Sequence, residues 1–209
     1  MASITTFNEI IEIDNTSLES YTECGHANYK VGNHQEALKF YQRAIRMSNL
    51  IGSPIDDELV FLRAGALYIE LEMYEDARVM FLMCAEDYKK AFAYFNLGIA
   101  DYNLGLIDEA EKMLGHVNYM DPTHAETWGY MTLVNLKKKP APKINAAYQS
   151  MNEAIKLGLK NPQLSQHIFF EWVNVRSMKG AKEALTMTVL SQGGSRNKQK
   201  LLAHIQVLD

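Results

Sequence analysis

Six histidines, two cysteines and a few adjacent acids are the residues of this sequence that could do chemistry. His26, His34, His116, His124, His167 and His204 are scattered along the chain. None shows the HExxH spacing that sets two imidazoles on one helix face around zinc. The acid pairs Asp56-Asp57 and Asp108-Glu109 would suit proton transfer in an enclosed cleft. They fall instead at expected helix starts, where the helix dipole favours negative charge, and read as capping features. Gly193-Gly194 sits in a polar linker rather than a phosphate loop. Asn15-Thr16-Ser17 matches a glycosylation sequon but lacks a secretory context. No catalytic site, cofactor site or metal site is expected.

Composition bounds the alternatives. The chain has 209 residues, 47% of them hydrophobic, so it can bury a real core. Its net charge of −4 argues against nonspecific nucleic-acid binding, which needs a basic surface. No apolar run reaches the length of a membrane span. The opening MASITTFNEIIEIDN lacks a basic n-region and a continuous apolar core, so it does not read as a signal peptide. Cys24 and Cys84 fall at expected buried helix positions, as two reduced thiols of a cytosolic protein. A disulfide between them is the alternative.

Helices must position whatever the chain binds, and the sequence repeats them. YTECGHANYKVGNHQEALKFYQRAI opens with Tyr21, FLRAGALYIELEMYEDARVMFLMCA with Phe61, YFNLGIADYNLGLIDEAEKMLGHV with Tyr94 and WGYMTLVNL with Trp128. Four residues after each aromatic comes a small one: Gly25, Gly65, Gly98 and then Thr132. Ala37, Ala77 and Ala110 follow twelve residues after the glycines, and Ala147 follows later in the fourth unit. A bulky residue comes next (Tyr41, Phe81, Leu114, Met151), then Ala44, Cys84, Val117 and Ala154. Glycine inside a helix costs about 1 kcal/mol against alanine. Close packing between two antiparallel helices offsets that cost, because a larger side chain would obstruct it. VGN at 31–33, EMY at 72–74 and LGL at 104–106 are the turns within units. Thr16 and Glu19 have capping-box spacing, Ser53-Pro54 opens the second unit, and Asp121-Pro122 closes the third.

These spacings resemble the tetratricopeptide repeat, a helix–turn–helix unit of about 34 residues. The resemblance implies an all-α, right-handed solenoid of antiparallel helix pairs. Residues 1–15 are then an N-terminal arm and 16–160 four helix pairs. Residues 161–209 hold a degenerate fifth pair, with Trp172 where a small residue is expected, and a capping helix in RNKQKLLAHIQVL. LKKKPAPKI lengthens the turn of the fourth unit by about three residues relative to the repeat. Over residues 91–165 the phrases LGIADYNLGLIDEAEKML, AETWGYMTLVNL and NEAIKLGLKNPQL resemble the C-terminal repeats of the cilia- and flagella-associated protein 70 family. Members of that kind are much longer, so the chain is a fragment, a shortened relative or another repeat protein. A place in a ciliary or flagellar axoneme follows from this resemblance.

In such a solenoid the first helix of each unit lines a concave groove. The groove positions are Glu19, Thr22, His26 and Tyr29 in unit one, and Leu59, Leu62, Ala66 and Ile69 in unit two. Phe92, Phe95, Ile99 and Tyr102 follow in unit three, and Glu126, Gly129, Leu133 and Leu136 in unit four. His26 reads as a polar contact rather than a ligand. The apolar middle fits an amphipathic helix or an extended apolar peptide with aromatic anchors. Three occupants are open: an external protein, the chain's own arm (Ile4, Phe7, Ile10, Ile11), or a second copy in a homodimer. Lys137-Lys138-Lys139 reads as a solvated loop, with an acidic surface such as tubulin's tails, or a phosphate backbone, as the alternative contact. Some repeat domains clamp chaperone C-termini with Lys, Asn and Arg. Thr22, His26, Arg63, Phe92 and Asn96 at the corresponding positions do not make that clamp, nor do Leu62 and Ala66 one unit on. The expected role is a non-catalytic interaction scaffold; the alternative is a chaperone or adaptor holding apolar client segments.

Overall fold

The computed structural model describes residues 17–88 and 91–191, all of them in helices and the turns between them. The N-terminal arm, Thr16 and the closing helix expected in 196–208 lie outside the described residues. Two compact units divide the chain, Met1–Ala100 and Asp101–Asp209.

In the first unit α1 (Leu18–Lys30) pairs with α2 (His34–Ile51), and α3 (Glu58–Glu70) pairs with α4 (Tyr74–Tyr88). Both α1 and α2 also touch α3. Helix α5 (Ala91–Asn103) runs across the division. The second unit continues with α6 (Ile107–Met120), α7 (Ala125–Lys137), α8 (Ile144–Lys156), α9 (Pro162–Asn174) and α10 (Met178–Ser191). There α7 pairs with α8 and α9 with α10, while α7 also packs on α6 and α9. The first cap differs from the capping box expected at Thr16. Ser17 caps α1, its Oγ accepting from the Ser20 N–H at 3.3 Å. Asp57 caps α3 and Asn161 caps α9, where Pro162 takes the first turn.

One backbone motif sets the register of every pair. Asn33, Met73, Leu106 and Ser177 each donate an N–H to the carbonyl five residues back, on Asn28, Tyr68, Asp101 and Trp172. In the longer turn of the fourth pair, Lys143 donates to Asn135 at 2.8 Å. Each of these donors then accepts from an alanine four residues on: Ala37, Ala77, Ala110, Ala147 and Ala181. All five alanines are fully buried. The sharp reversal requires a left-handed residue, supplied by Gly32 and Gly105, but also by Glu72 (φ 57°) and Arg176 (φ 54°).

The internal glycines face large rings. A Cβ on Gly25 would lie 2.5 Å from Tyr41 Cε1, and one on Gly65 would lie 2.7 Å from Phe81 Cζ. Both rings are fully buried, each worth about 1.5–3 kcal/mol, more than the helix penalty of the glycine. Gly98, Leu114 and Val117 are likewise buried in the third repeat. Thr132, Met151 and Ala154 are buried in the fourth. Trp128 is half-buried, its indole N–H donating to the Pro122 carbonyl at 2.9 Å.

The fifth pair inverts this arrangement, and its register differs from the one expected at Trp172. The turn hydrogen bond makes Trp172 the counterpart of Asn28 and puts Phe169 at the small position. Phe169 is fully buried, and the bulky position opposite carries the smaller Leu185. The space for Trp172 comes from the second helix, where any Cβ on Gly180 would collide with the indole. The indole N–H points to Met151 Sδ at 3.2 Å, and the Tyr148 ring lies 4.5 Å away, which ties the fifth pair to the fourth.

Two substitutions test this packing. Gly65→Ala should destabilise the chain by about 1–3 kcal/mol in urea unfolding, and Phe81→Leu in the same chain should recover part of that loss. Glu72→Gly should raise stability by about 0.5–1 kcal/mol, because only glycine holds the left-handed turn without strain.

Candidate functional site

The groove positions separate into an exposed set and a buried set. Phe92 is 53% exposed and Leu59 40% exposed, and Leu62 and Ile69 are half-buried. Leu59, Leu62 and Ile69 share α3, while Phe92 opens α5. Phe95, Ile99, Tyr102, Leu133 and Leu136 are buried. An open groove therefore does not extend to these five. Helix α5 is apolar on nearly every side, AFAYFNLGIADYN, the pattern of a helix that is mostly buried. Tyr102 is closed in by Tyr130 and His167, whose ring centroids lie 6.2 and 5.7 Å away. Burial pushes its phenol well above the ordinary range. On α7 the neighbouring α9 occupies the groove side, with Leu164 and Leu159 filling the space beside Gly129.

His26 is a buried structural hub. Its Nδ1 lies 2.6 Å from Arg63 Nη1 and 2.8 Å from the Tyr41 hydroxyl, and its Nε2 lies 2.6 Å from Asp57 Oδ2. Arginine only donates, so Nδ1 accepts and the ring proton sits on Nε2, where it donates to Asp57. The carboxylate–imidazole–hydroxyl order resembles an activated nucleophile. The hydroxyl here belongs to Tyr41, which is fully buried, and burial pushes it up to about 12. With no exposed nucleophile, this network positions side chains. It joins the ring that fills the Gly25 space to the residue capping α3.

The three lysines at the end of α7 take three different roles, which corrects the solvated-loop reading. Lys138 is buried and bridges Asp108 and Glu111, the latter at 2.6 Å. Burial works to lower the Lys138 ammonium, but the two carboxylates outweigh it and the net direction is up. Burial also works against the Glu111 charge, and hydrogen bonds from Lys138 and Lys143 reverse that. Lys137 pairs with Glu171 at 2.8 Å, and Lys139 stays exposed. Glu171 is buried on α9 and held down to about 2, chiefly by His167, whose Nε2 lies 3.7 Å from its Oε1, and, against burial, by Lys137. A shallow cleft runs beside this cluster, edged by Tyr102, Asn103, Gly105, Lys139 and His167. Sequence reasoning missed both networks. No local spacing links residue 26 to 57 and 63, or 137 to 171. Both cysteines are buried thiols, and burial pushes Cys24 up to about 11.

Both networks make measurable statements. His26→Ala and Asp57→Ala should each cost the first unit about 1–3 kcal/mol, with a coupling of about 1–2 kcal/mol in a double-mutant cycle by chemical unfolding. Glu171 sits below the ordinary 4.5, so its contribution is complete above that pH and disappears as pH falls towards about 2. The loss should be about 2 kcal/mol after allowing for solvent screening, and Glu171→Gln should flatten stability against pH in that window.

Known proteins share this architecture. Over 94% of the chain it superposes on YrrB, a tetratricopeptide-repeat protein with an unusual peptide-binding site, with TM-score 0.65, 15% identity and 97% of that chain covered. MamA from Desulfovibrio magneticus RS-1 matches over 86% of this chain and 97% of its own, with TM-score 0.65 and 17% identity. In sequence, human cilia- and flagella-associated protein 70 is 33% identical over 144 residues, 69% of this chain. The Macaca fascicularis protein is 32% identical over 128 residues, 61% of this chain. The aligned region spans 12% of the length of each of these two relatives. The family model for the cilia and flagella-associated protein 70 C-terminal domain matches residues 6–208. The chain is an all-α tetratricopeptide-repeat protein and belongs to the family of that C-terminal domain.

Proposed function

We propose that the chain is a non-catalytic docking module of a ciliary or flagellar assembly, binding another protein through the apolar side of its first repeats. The observation that carries this reading is the exposure of Phe92 and Leu59, large apolar side chains at groove positions. Solvent-exposed aromatics on rigid helices are common binding anchors, and a preformed helix face limits the ordering cost of binding. Leu62 and Ile69 extend the same side of α3. The ligand class that fits is an amphipathic helix or an extended apolar peptide. The peptide-binding site of the YrrB fold neighbour supports peptide recognition as a capacity of this architecture. The ciliary and flagellar name of the relatives supports the cellular setting, with axonemal proteins as the partners. No described helix is long and apolar enough to cross a membrane.

Crosslinking mass spectrometry in ciliated cells, with Phe92→Glu and Leu59→Glu beside the unaltered protein, tests the proposal. Tyr119→Glu serves as the control, since Tyr119 is 90% exposed at the end of α6. Stoichiometric crosslinks from α3 and the start of α5 to axonemal proteins are expected. They should fall at least about tenfold in the two groove variants and persist in the control, since an anchor residue is worth about 1.4 kcal/mol or more. Crosslinks to many unrelated unfolded proteins would favour a chaperone, and an unchanged pattern in both groove variants would refute the docking surface.

A further inference from the structure

The cleft of the second unit has a volume of about 410 Å³, within the size range of ligand sites. Tyr102 and Asn103 of α5, Ile107 of α6, Lys137 of α7 and His167 of α9 line it, together with Lys139 just beyond α7. Its charges are sorted by depth. The buried Glu171 pairs with Lys137 at 2.8 Å and lies 3.7 Å from His167 Nε2, which is also 3.3 Å from the Tyr102 hydroxyl. Lys137 and His167 each keep 43% of the side chain open despite these contacts. Lys138 draws off the acids of α6, Asp108 and Glu111. Lys139 is exposed and has no carboxylate within ion-pair distance among the described residues. None of the described residues lining the cleft is acidic.

We infer that this cleft is a second binding site, for an acidic peptide segment of another protein, with Lys139 and Lys137 as its charge partners. Two lysines against one buried carboxylate leave the cleft net positive in a chain whose formal charge is −4. Positive charge gathered in a cleft raises the local concentration of anionic partners. Nucleic acid needs a row of cations along successive phosphates, which two lysines do not supply. No arginine is among the described lining residues, so the planar fork that grips a phosphate is missing as well. A peptide suits the remaining groups. Lysine ammoniums on flexible stems adapt to carboxylates at irregular positions. Asn103 is exposed, and its amide both donates and accepts, as a peptide backbone does. Tyr102 and the half-buried Ile107 add apolar contact beside the charges. The site is independent of the apolar side of α3, which belongs to the first unit.

The test is fluorescence anisotropy of a fluorescein-labelled hexaglutamate peptide titrated with the full chain at low salt, beside a hexaglutamine peptide. Binding of the glutamate peptide alone is expected, with the amide resonances of Gly105 and Lys139 moving in two-dimensional NMR. Lys139→Glu should weaken it at least about fivefold, since it reverses an unpaired surface charge. Lys160→Glu makes the same change of net charge at an exposed lysine that does not line the cleft, and should leave the affinity within about twofold. Phe92→Ala should leave it unchanged, which separates this site from the docking side of α3. Circular dichroism checks the fold, and Lys139→Gln replaces the charge reversal if that variant loses helix. Equal losses in the Lys139 and Lys160 variants would mean attraction to overall charge and overturn the inference. Loss in Phe92→Ala, indifference to Lys139, or no binding of hexaglutamate would overturn it as well.

Discussion

Every helix pair hangs on the same contact, an alanine with no exposed surface at the start of its second helix. Ala37, Ala77, Ala110, Ala147 and Ala181 each donate to the residue whose own N–H closes the preceding turn. Backbone and side chain therefore enforce one register together. The turn fixes which residue begins the second helix, and the alanine fixes how near the first helix can come. Anything larger would force the helices apart in a core packed as tightly as a crystal. Once this contact is set, the partners one and two turns on have no freedom. Tyr41 must meet Gly25, and Phe81 must meet Gly65.

The fifth pair shows that the constraint concerns local fit rather than residue identity. It keeps Ala181 and the turn hydrogen bond yet exchanges large and small across the interface, setting Phe169 against the position of Leu185 and Trp172 against Gly180. The exchange also supplies an indole N–H that reaches Met151 in the preceding pair. The first unit joins its two pairs differently, through the polar hub of His26, Tyr41, Asp57 and Arg63. Buried and satisfied, such a network demands one geometry, because any member left without its partner costs more than the network gains.

The fold was legible because its signals are local. Aromatic, glycine, alanine and turn recur at fixed intervals within some 25 residues, and hairpin geometry translates those intervals into contacts. The Trp172 register was misread because a large residue in the first helix looks like a broken pattern until Gly180 is seen beneath it. The groove was only partly legible. Position along a helix tells which side a residue faces, not whether another element lies against that side. Leu133 and Leu136 occupy the same repeat positions as Ala66 and Ile69, but α9 packs on α7 and buries them. The charged networks were illegible for a related reason. Lys138 reads as one of three surface lysines until Asp108 and Glu111, roughly thirty residues earlier, are placed around it.

The exposed apolar side chains are unevenly spread. Apolar exposure at Leu59 on α3 and Phe92 on α5 survives in a chain that buries Leu133 and Leu136 on α7. Exposed leucine alone is ordinary on a protein surface. Phe92 is less ordinary, because it opens a helix whose next groove residues, Phe95 and Ile99, are both buried. A hollow beside α2 differs in kind, being framed by Arg43 and Arg46.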